Sequence, residues 1–483
     1  MPKDLTTIQL FLLTVCLAGV QFAWTVELAY GTPFLVSLGL SSSLTALVWI
    51  AGPLSGLLIQ PIVGAYSDQL KWKYGRRKPF IAVGGILLIF SIILIGYNRE
   101  ISSLFFSSSD SNNNVQIGIA IFAFYLLDFS VNAVTCSCRS LIVDVTPLNQ
   151  QQLANGWGAF QLGVGNIGGY LSGYLDLPAI FPFLGDTQIK CLCVINIIWL
   201  STLLMLTLIS VKEPMINTAD SPSQKRWWEP LLNISRGIMS LPKDVQNVCN
   251  VQLIGWLGWF PFLFYWYNTK FGNLTYSTSW VGQFAPAGVS GERLGSLSLL
   301  SKSILSIVAI WVAPRMRGWN KIGLPQIWAG SFWLLGISLL CTYFVNSDVG
   351  AVAIPSIIGI CWGLTQWIPF ALIGEYVSNM QHDYERVSME NIDEIGQEYD
   401  PIALHSPKLD AGIVLGIHNI YIVIPQFIST FTCSILFKLA NGVYVDEFGL
   451  VLRVGGIAAI FAGFLCLKVD EISRSEDVVD KGD

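Results

Sequence analysis

The sequence predicts an all-α membrane protein of twelve transmembrane helices arranged as two six-helix halves. Three observations carry that prediction. Of 483 residues, 53% are hydrophobic and only 12% are charged, about half the charged fraction of a soluble protein. Apolar blocks of about twenty residues recur along the chain, each long enough to cross a ~30 Å hydrocarbon core as a helix. Lysine and arginine gather in the connections on one side of those blocks.

Hydropathy places the twelve spans near residues 7–30, 44–67, 79–98, 115–138, 153–176, 188–211, 246–270, 294–314, 322–345, 350–375, 411–438 and 448–468. The first apolar run is too long for a secretory leader, lacks a small-residue cleavage pattern and is followed by further spans, so it reads as a transmembrane helix. An even number of spans puts both termini on one side. "KWKYGRRK" follows the second span, Lys212, Lys225, Arg226, Arg236 and Lys243 follow the sixth, and Arg315, Arg317 and Lys321 follow the eighth. The other side has few bases, among them Arg99, Lys190, Lys270 and Arg293. Positive-inside bias therefore makes the basic side, with both termini, cytoplasmic. The net charge of −5 then reflects topology, and no nucleic-acid partner is expected.

The domain reading follows from the connections. Residues 1–211 form an N-terminal bundle and 246–470 a C-terminal one, with a tail at 471–483. Residues 212–245, rich in Pro, Ser and charge, read as a cytoplasmic linker. Residues 376–410 are acidic and poor in large aliphatics, which predicts a mobile cytoplasmic loop. "SSSDSNNN" (107–114) reads as a flexible hairpin tip, and Asn273-Leu274-Thr275 as a glycosylation sequon on the outer face. "GAYSDQLKWKYGRRKP" after the second span is echoed by "APRMRGWNK" after the eighth, the matching place in a second half. Six plus six spans with a linker between is the layout of a major-facilitator-type transporter.

Charges at membrane depth are costly and usually face a protein-lined or water-filled interior. Here they are Glu27, Asp128, Arg139, Lys302 and, as the histidine at depth, His418. In the fourth span Asp128, Asn132, Thr135 and Arg139 share one helix face, with Asp128 and Arg139 about 16 Å apart along the axis. That spacing makes a polar track from midplane to cytoplasm, suited to a proton. An apolar surrounding disfavours the charged form of a carboxyl group, which suits Asp128 to loading and losing one. In the first span Gln21, Trp24 and Glu27 present an aromatic ring beside an amide and a carboxylate, the chemistry of a sugar site. Gln366 and Trp367 in the tenth span, and His418 and Asn419 in the eleventh, are further candidates for lining a path.

"GAYSDQLKWKYGRRKP" reads as a latch. Gly64 permits close helix approach, and Asp68 is placed to pair with the Arg76/Arg77/Lys78 cluster or a neighbouring helix end, stabilising one of two rocking states. Most of the ten cysteines lie in apolar blocks, where they pack between helices, and three histidines do not make a metal site. No nucleophile–base set or phosphate loop stands out, so the chain does not read as an enzyme.

These stretches resemble the sucrose-transporter branch of the glycoside–pentoside–hexuronide cation symporters, within the major facilitator superfamily. "TPFLVSLGL", "LVWIAGPLSGLLIQPIVGAYSD" and "GRRKPFI" are similar to that branch's first two spans and loop. "LLDFSVNAVTCSCRSLIVDV" resembles its fourth span at Asp128, Asn132, Cys138, Arg139 and Asp144. "ANGWGAFQLGVGNIGGYLSG", with Asn166, resembles the fifth, and "GWFPFLFY", "IPFALIGEY" and "GIVLGIHNIYIVIPQF" the seventh, tenth and eleventh. The resemblance implies proton-coupled uptake of a disaccharide by alternating access, with Asp128 as proton-linked residue, Arg139 as its partner, and Arg293 as a further arginine that matters for transport.

The remaining candidates are expected in the following roles. Glu27 joins the proton-coupling set; Gln21, Trp24, Asn132, Asn166, Gln366 and Asn419 form the substrate set; His418 is transport-linked. Gly64, Asp68, Gly75, Arg76 and Arg77 form the gating motif. Plant members carry a histidine after the first span where this chain has Ser42, and an aspartate after "WFPFLFY" that "WYNTKFG" lacks. Glu27 in "VELAYGTP" looks more like fungal and animal members, so maltose or another α-glucoside is as much implied as sucrose. A monosaccharide symporter, an uncoupled facilitator and a non-transporting sugar sensor are the alternatives. The proton is the expected coupling ion, with no other cofactor. The expected setting is the lipid bilayer of the plasma membrane or vacuole, with the chain working as a monomer.

Overall fold

Each of the twelve predicted spans coincides with a helix. The computed structural model describes residues 4–40, 45, 48–105, 109–213, 229–265, 284, 291–320, 322–393, 410–440 and 446–471. The helices of the N-terminal half include α1 (Thr7–Thr14), α2 (Cys16–Ser37), α3 (Ala51–Gln69), α4 (Lys78–Gly96), α5 (Ser109–Val145), α6 (Gln151–Tyr174) and α7 (Gln188–Ser210). A short helix, α8 (Glu229–Met239), leads into the second half. That half comprises α9 (Lys243–Tyr265), α10 (Gly291–Asn320), α11 (Leu324–Leu340), α12 (Asp348–Asp393), α13 (Ala411–Ala440) and α14 (Glu447–Cys466).

Local chemistry explains where these helices start and bend. Thr6 and Gln9 form a reciprocal capping box at the start of α1. The Thr14 hydroxyl donates to the Leu10 carbonyl at 2.9 Å, a back-bond that bends helices, and the chain breaks at Val15 before resuming as α2. Asp446 accepts from the Gly449 amide at 2.8 Å to start α14. Interior prolines Pro61, Pro261, Pro355, Pro369 and Pro425 sit in α3, α9, α12 and α13, tolerated where neighbouring helices resatisfy the freed backbone.

Among the described residues, ten helices are long and apolar enough to cross a membrane. The two long ones outside that set are α3, with Ser55, Gln60 and Asp68, and α6, with Gln151, Asn155, Gln161 and Asn166. Their polar residues explain this: both helices pack between the halves, α3 against α13 and α6 against α10 and α12. Each half otherwise has its own apolar core. Leu17, Leu88, Ala120 and Leu200 lie in the first core, and Trp259, Trp328, Phe332 and Ile368 in the second.

The structure corrects two expectations about connections. Residues 376–393 are helical and extend α12, because no glycine or proline interrupts the chain between Gly374 and Gly396. Residues 394–409 of that expected loop lie outside the described residues. The expected hairpin tip at 107–114 is helical from Ser109 onward, as the start of α5. Residues 214–228 of the linker, the tail from 472, the Asn273 sequon and Ser42 also lie outside the described residues.

Candidate functional site

One face carries the α3–α4 turn with its arginines and is the basic face. From there a line of buried and half-buried polar groups runs along α5 through Asp144, Arg139, Asn132 and Asp128, about 24 Å at 1.5 Å per residue. Each layer of that line meets a different set of partners.

At the basic face the charges form a closed network. Arg77 is fully buried and engages Asp68 and the Ser67 hydroxyl directly, and its Nε lies 2.7 Å from Asp144. Arg76 holds the other Asp144 oxygen at 2.7 Å and approaches Asp410 at 3.7 Å. Burial alone would lower the pKa of Arg77, but Asp144 and then Asp68 outweigh it and drive that pKa up. Asp68 also accepts from the Gly412 and Ile413 amides, at 3.1 and 2.8 Å, in the first turn of α13. A carboxylate at a helix N-terminus satisfies free N–H groups and the helix dipole together. The motif thus clasps the C-terminal half through backbone amides.

Glu213 does the same for α4. It accepts from the Arg76 and Arg77 amides, each at 2.8 Å, and from Lys78 at 3.3 Å. Gly75, at φ +104°, turns the chain into that carboxylate, and a Cβ there would collide with it. Glu213 is not legible from sequence because its partners lie about 135 residues away, and Asp144 is legible only as part of a motif. Gly64 lies directly against the Gly412 backbone, with no room for a Cβ. Gly64→Val is therefore expected to separate α3 from α13 and expose the basic face. Limited proteolysis and thiol labelling check this, and unchanged protection would refute it.

The next layer centres on Arg139, which is buried. Its Nη2 donates to the Gln366 carbonyl at 3.3 Å, and its guanidinium stacks 3.8 Å from the Phe370 ring centre. Phe370 meets the His418 ring edge-on at 5.0 Å, and His418 Nε2 lies 3.0 Å from Gln252 Nε2. Arg139 Nε and Nη1 and His418 Nδ1 have no hydrogen-bond partner among the described residues. Trp367 Nε1 donates to the Gln152 carbonyl at 2.8 Å, and the Gln152 side chain donates to Glu375 at 2.6 Å. Gln366 contributes its backbone carbonyl to this layer.

Midway, Asn132 accepts from Gln60 at 2.7 Å and donates to Ser55 at 2.6 Å. Asn419 donates to the Gly56 carbonyl at 2.7 Å, bringing α3, α5 and α13 together. Gln21 and Thr25 both donate to Asn166 Oδ1, at 3.0 and 2.9 Å. Trp24 is half-buried against the N-terminal core. Lys302 is buried in the other half, its ammonium 4.3 Å from the Trp362 ring centre and 5.6 Å from that of Phe262.

Farthest from the basic face, Asp128 and Glu27 are both buried and lie within interaction reach of each other. Neither Glu27 oxygen has a hydrogen-bond donor among the described residues. A hydrogen bond between two carboxyl groups would need a proton on one of them. The structure therefore brings Glu27 to Asp128, and places Arg139 in a separate layer toward the basic face. The side chain of Arg293 lies outside the described residues. Among those residues no cluster of three or more His, Cys, Asp or Glu is arranged for a metal ion.

The chain is similar to known proteins in both sequence and fold. Residues 14–240 match the family described as MFS/sugar transport protein. The general alpha-glucoside permease of Schizosaccharomyces pombe is 32% identical over 95% of this chain and 93% of its own length. The sucrose transport protein SUT1 of Oryza sativa subsp. japonica is 28% identical over 92% of this chain and 85% of its own. Sucrose transport protein SUC4 of Arabidopsis thaliana is 27% identical over 92% and 88%. Among solved structures, the proton:xylose symporter XylE superposes with a TM-score of 0.58 at 15% identity, covering 96% of each chain. The E. coli fucose:proton symporter FucP does so at 0.57 and 12% identity, covering 95% and 98%. Both share the fold.

Proposed function

Because this chain belongs to the MFS/sugar transport protein family, a family of multi-pass membrane transporters rather than enzymes, we propose that it is a proton-coupled symporter. It imports a disaccharide, namely sucrose, maltose or a related α-glucoside, by alternating access. The single observation that carries this reading is the end-to-end similarity to an α-glucoside permease, on a chain whose interior holds a carboxyl pair at Glu27 and Asp128.

The geometry supports a cycle in which the two halves rock about a midplane sugar site. In this conformation Asp68, Arg139, Trp367 and Gln152 hold the halves together toward the basic face, so that face is the closed side. The basic face is the cytoplasmic one, with both termini on it, and the plasma membrane is the expected setting. A proton bound at Glu27 and Asp128 neutralises the pair while sugar enters from outside. Opening of the latch then exposes both to the cytoplasm, and the Arg139 cation, on the exit side of the same helix, favours release of the proton inward. The amides of Gln21, Asn132, Asn166, Gln366 and Asn419 are the hydroxyl-binding candidates.

Purified protein in liposomes, tested with mono- and disaccharides at two external pH values, checks this. Maltose or sucrose is expected to accumulate, more at acid external pH, with glucose and xylose weaker. Accumulation of neither disaccharide under a pH gradient would end the proposal.

A further inference from the structure

We propose that the outer face of α8 is a docking surface for anionic phospholipid, seated at the membrane–water boundary of the basic face and across the seam between the halves. Such a surface depends on no particular sugar or coupling ion. With the basic face cytoplasmic, as proposed above, its partner is the lipid of the cytoplasmic leaflet.

The inner face of α8 fixes its place. Ile234, with Leu241 just past the helix, packs against Ala65 of α3 and against Ile413 and Ile417 of α13. One linker helix thus touches both halves, beside the amides that Asp68 holds. The surfaces it covers continue into the membrane as lipid-facing ones. On α3, Leu58 lies seven residues deeper than Ala65 and is exposed. On α13, Ile424 and Phe431 lie seven and fourteen residues deeper than Ile417 and are exposed as well. Residues seven apart share a helix face. α8 therefore sits directly above apolar side chains that meet acyl chains, which is the level of the lipid headgroups.

The outer face carries the chemistry suited to that level. Leu232 and Met239 lie seven residues apart, on the side of α8 opposite Ile234, and are 45% and 89% exposed. Arg236 stands between them on the same face and is exposed, as is Lys243 at the start of α9. Neither cation is in an ion pair among the described residues. Large apolar side chains held outward gain nothing in water. At a bilayer surface they enter the acyl boundary while a neighbouring cation stays among the phosphates. The sequence has the same bias. Between residues 225 and 243, Lys225, Arg226, Arg236 and Lys243 stand against Glu229 as the one acid, and Trp227 and Trp228 precede the helix. Tryptophan beside basic residues is the composition of an interfacial helix. A surplus of positive charge at the headgroup layer selects anionic over zwitterionic lipid, and phosphatidylserine is an anionic headgroup that a cytoplasmic leaflet offers. An acidic soluble protein would suit the charges, but not a position flush with the lipid-facing surfaces of α3 and α13.

The test uses the full chain with Met239→Cys carrying an environment-sensitive dye and the exposed Cys341 changed to Ser. The protein is placed in vesicles of phosphatidylcholine alone, and of phosphatidylcholine with about 30% phosphatidylserine. Both contain brominated phosphatidylcholine as a contact quencher. The two leaflets match in composition, so the orientation of the protein does not enter, and no transport is measured. The dye is expected to be quenched about twofold more with phosphatidylserine present, and high salt is expected to erase the difference. Arg236→Gln with Lys243→Gln is expected to remove the phosphatidylserine-dependent part. Arg236→Lys with Lys243→Arg is expected to keep it, which separates charge from packing. A dye left unquenched in both vesicles overturns the proposal and leaves this face to a soluble partner. Equal quenching in the two vesicles, or a phosphatidylserine effect that survives loss of both cations, overturns the anionic lipid as the partner.

Discussion

Asp128→Asn is expected to abolish proton-driven sugar accumulation while leaving the carrier able to bind and exchange sugar. The amide keeps the size of the carboxyl group but cannot gain or lose the proton, so the pair with Glu27 no longer cycles. One pH unit supplies ~1.4 kcal/mol, a gradient of about tenfold. A membrane potential of 100 mV adds about 2.3 kcal/mol per charge. Wild type in liposomes with a one-unit pH gradient is therefore expected to concentrate sugar toward tenfold, and the variant to stop at equal concentrations. Accumulation by Asp128→Asn at the wild-type level would remove Asp128 from the coupling mechanism.

The second large effect lies at the latch. Arg77→Met keeps most of the side-chain volume and removes the cation that joins Ser67, Asp68 and Asp144. Breaking a buried ion pair from one side costs about 3–5 kcal/mol, because the remaining charge is left uncompensated. The expected result is a lower melting temperature in detergent. A second consequence is faster alkylation of Cys136, whose thiol is buried between α5 and α3 and donates to the Gln60 carbonyl at 3.3 Å. Arg77→Lys should rescue only in part, since one ammonium cannot reproduce the planar fork. A variant that melts like wild type with Cys136 still protected would show that the network does not hold the basic face shut.

The helices were legible in the sequence because a hydrocarbon solvent demands long apolar runs, and the basic clusters gave the faces. Asp128, Arg139 and Glu27 were legible as charges where charge is costly. Their partners were not. The spacing on α5 shows that Asp128 and Arg139 are too far apart to pair, but it cannot say that Glu27, about a hundred residues earlier, meets Asp128, or that Phe370 lies under Arg139. The same holds for Glu213, whose role depends on the fold returning it to the start of α4. The extension of α12 to Asp393 was hidden by composition: an acidic stretch poor in aliphatics lacks a core-facing stripe, yet contains nothing that stops a helix.

Most of the bonds that clasp the two halves share a property with consequences for how such carriers diverge, the side-chain contacts Gln152–Glu375 and Arg76–Asp410 being the exceptions. Asp68 meets the amides of Gly412 and Ile413, Arg139 the carbonyl of Gln366, Trp367 the carbonyl of Gln152, and Asn419 the carbonyl of Gly56. In each case one half offers a side chain and the other only its main chain, which every amino acid but proline supplies alike. Mutational drift on the main-chain side leaves these bonds intact, so the halves need matched changes across the seam only where side chain meets side chain, as at Gln152–Glu375 and Arg76–Asp410. Chimeras joining the first half of this protein to the second half of a sucrose transport protein should accordingly assemble, and would be a direct way to learn which half chooses the sugar.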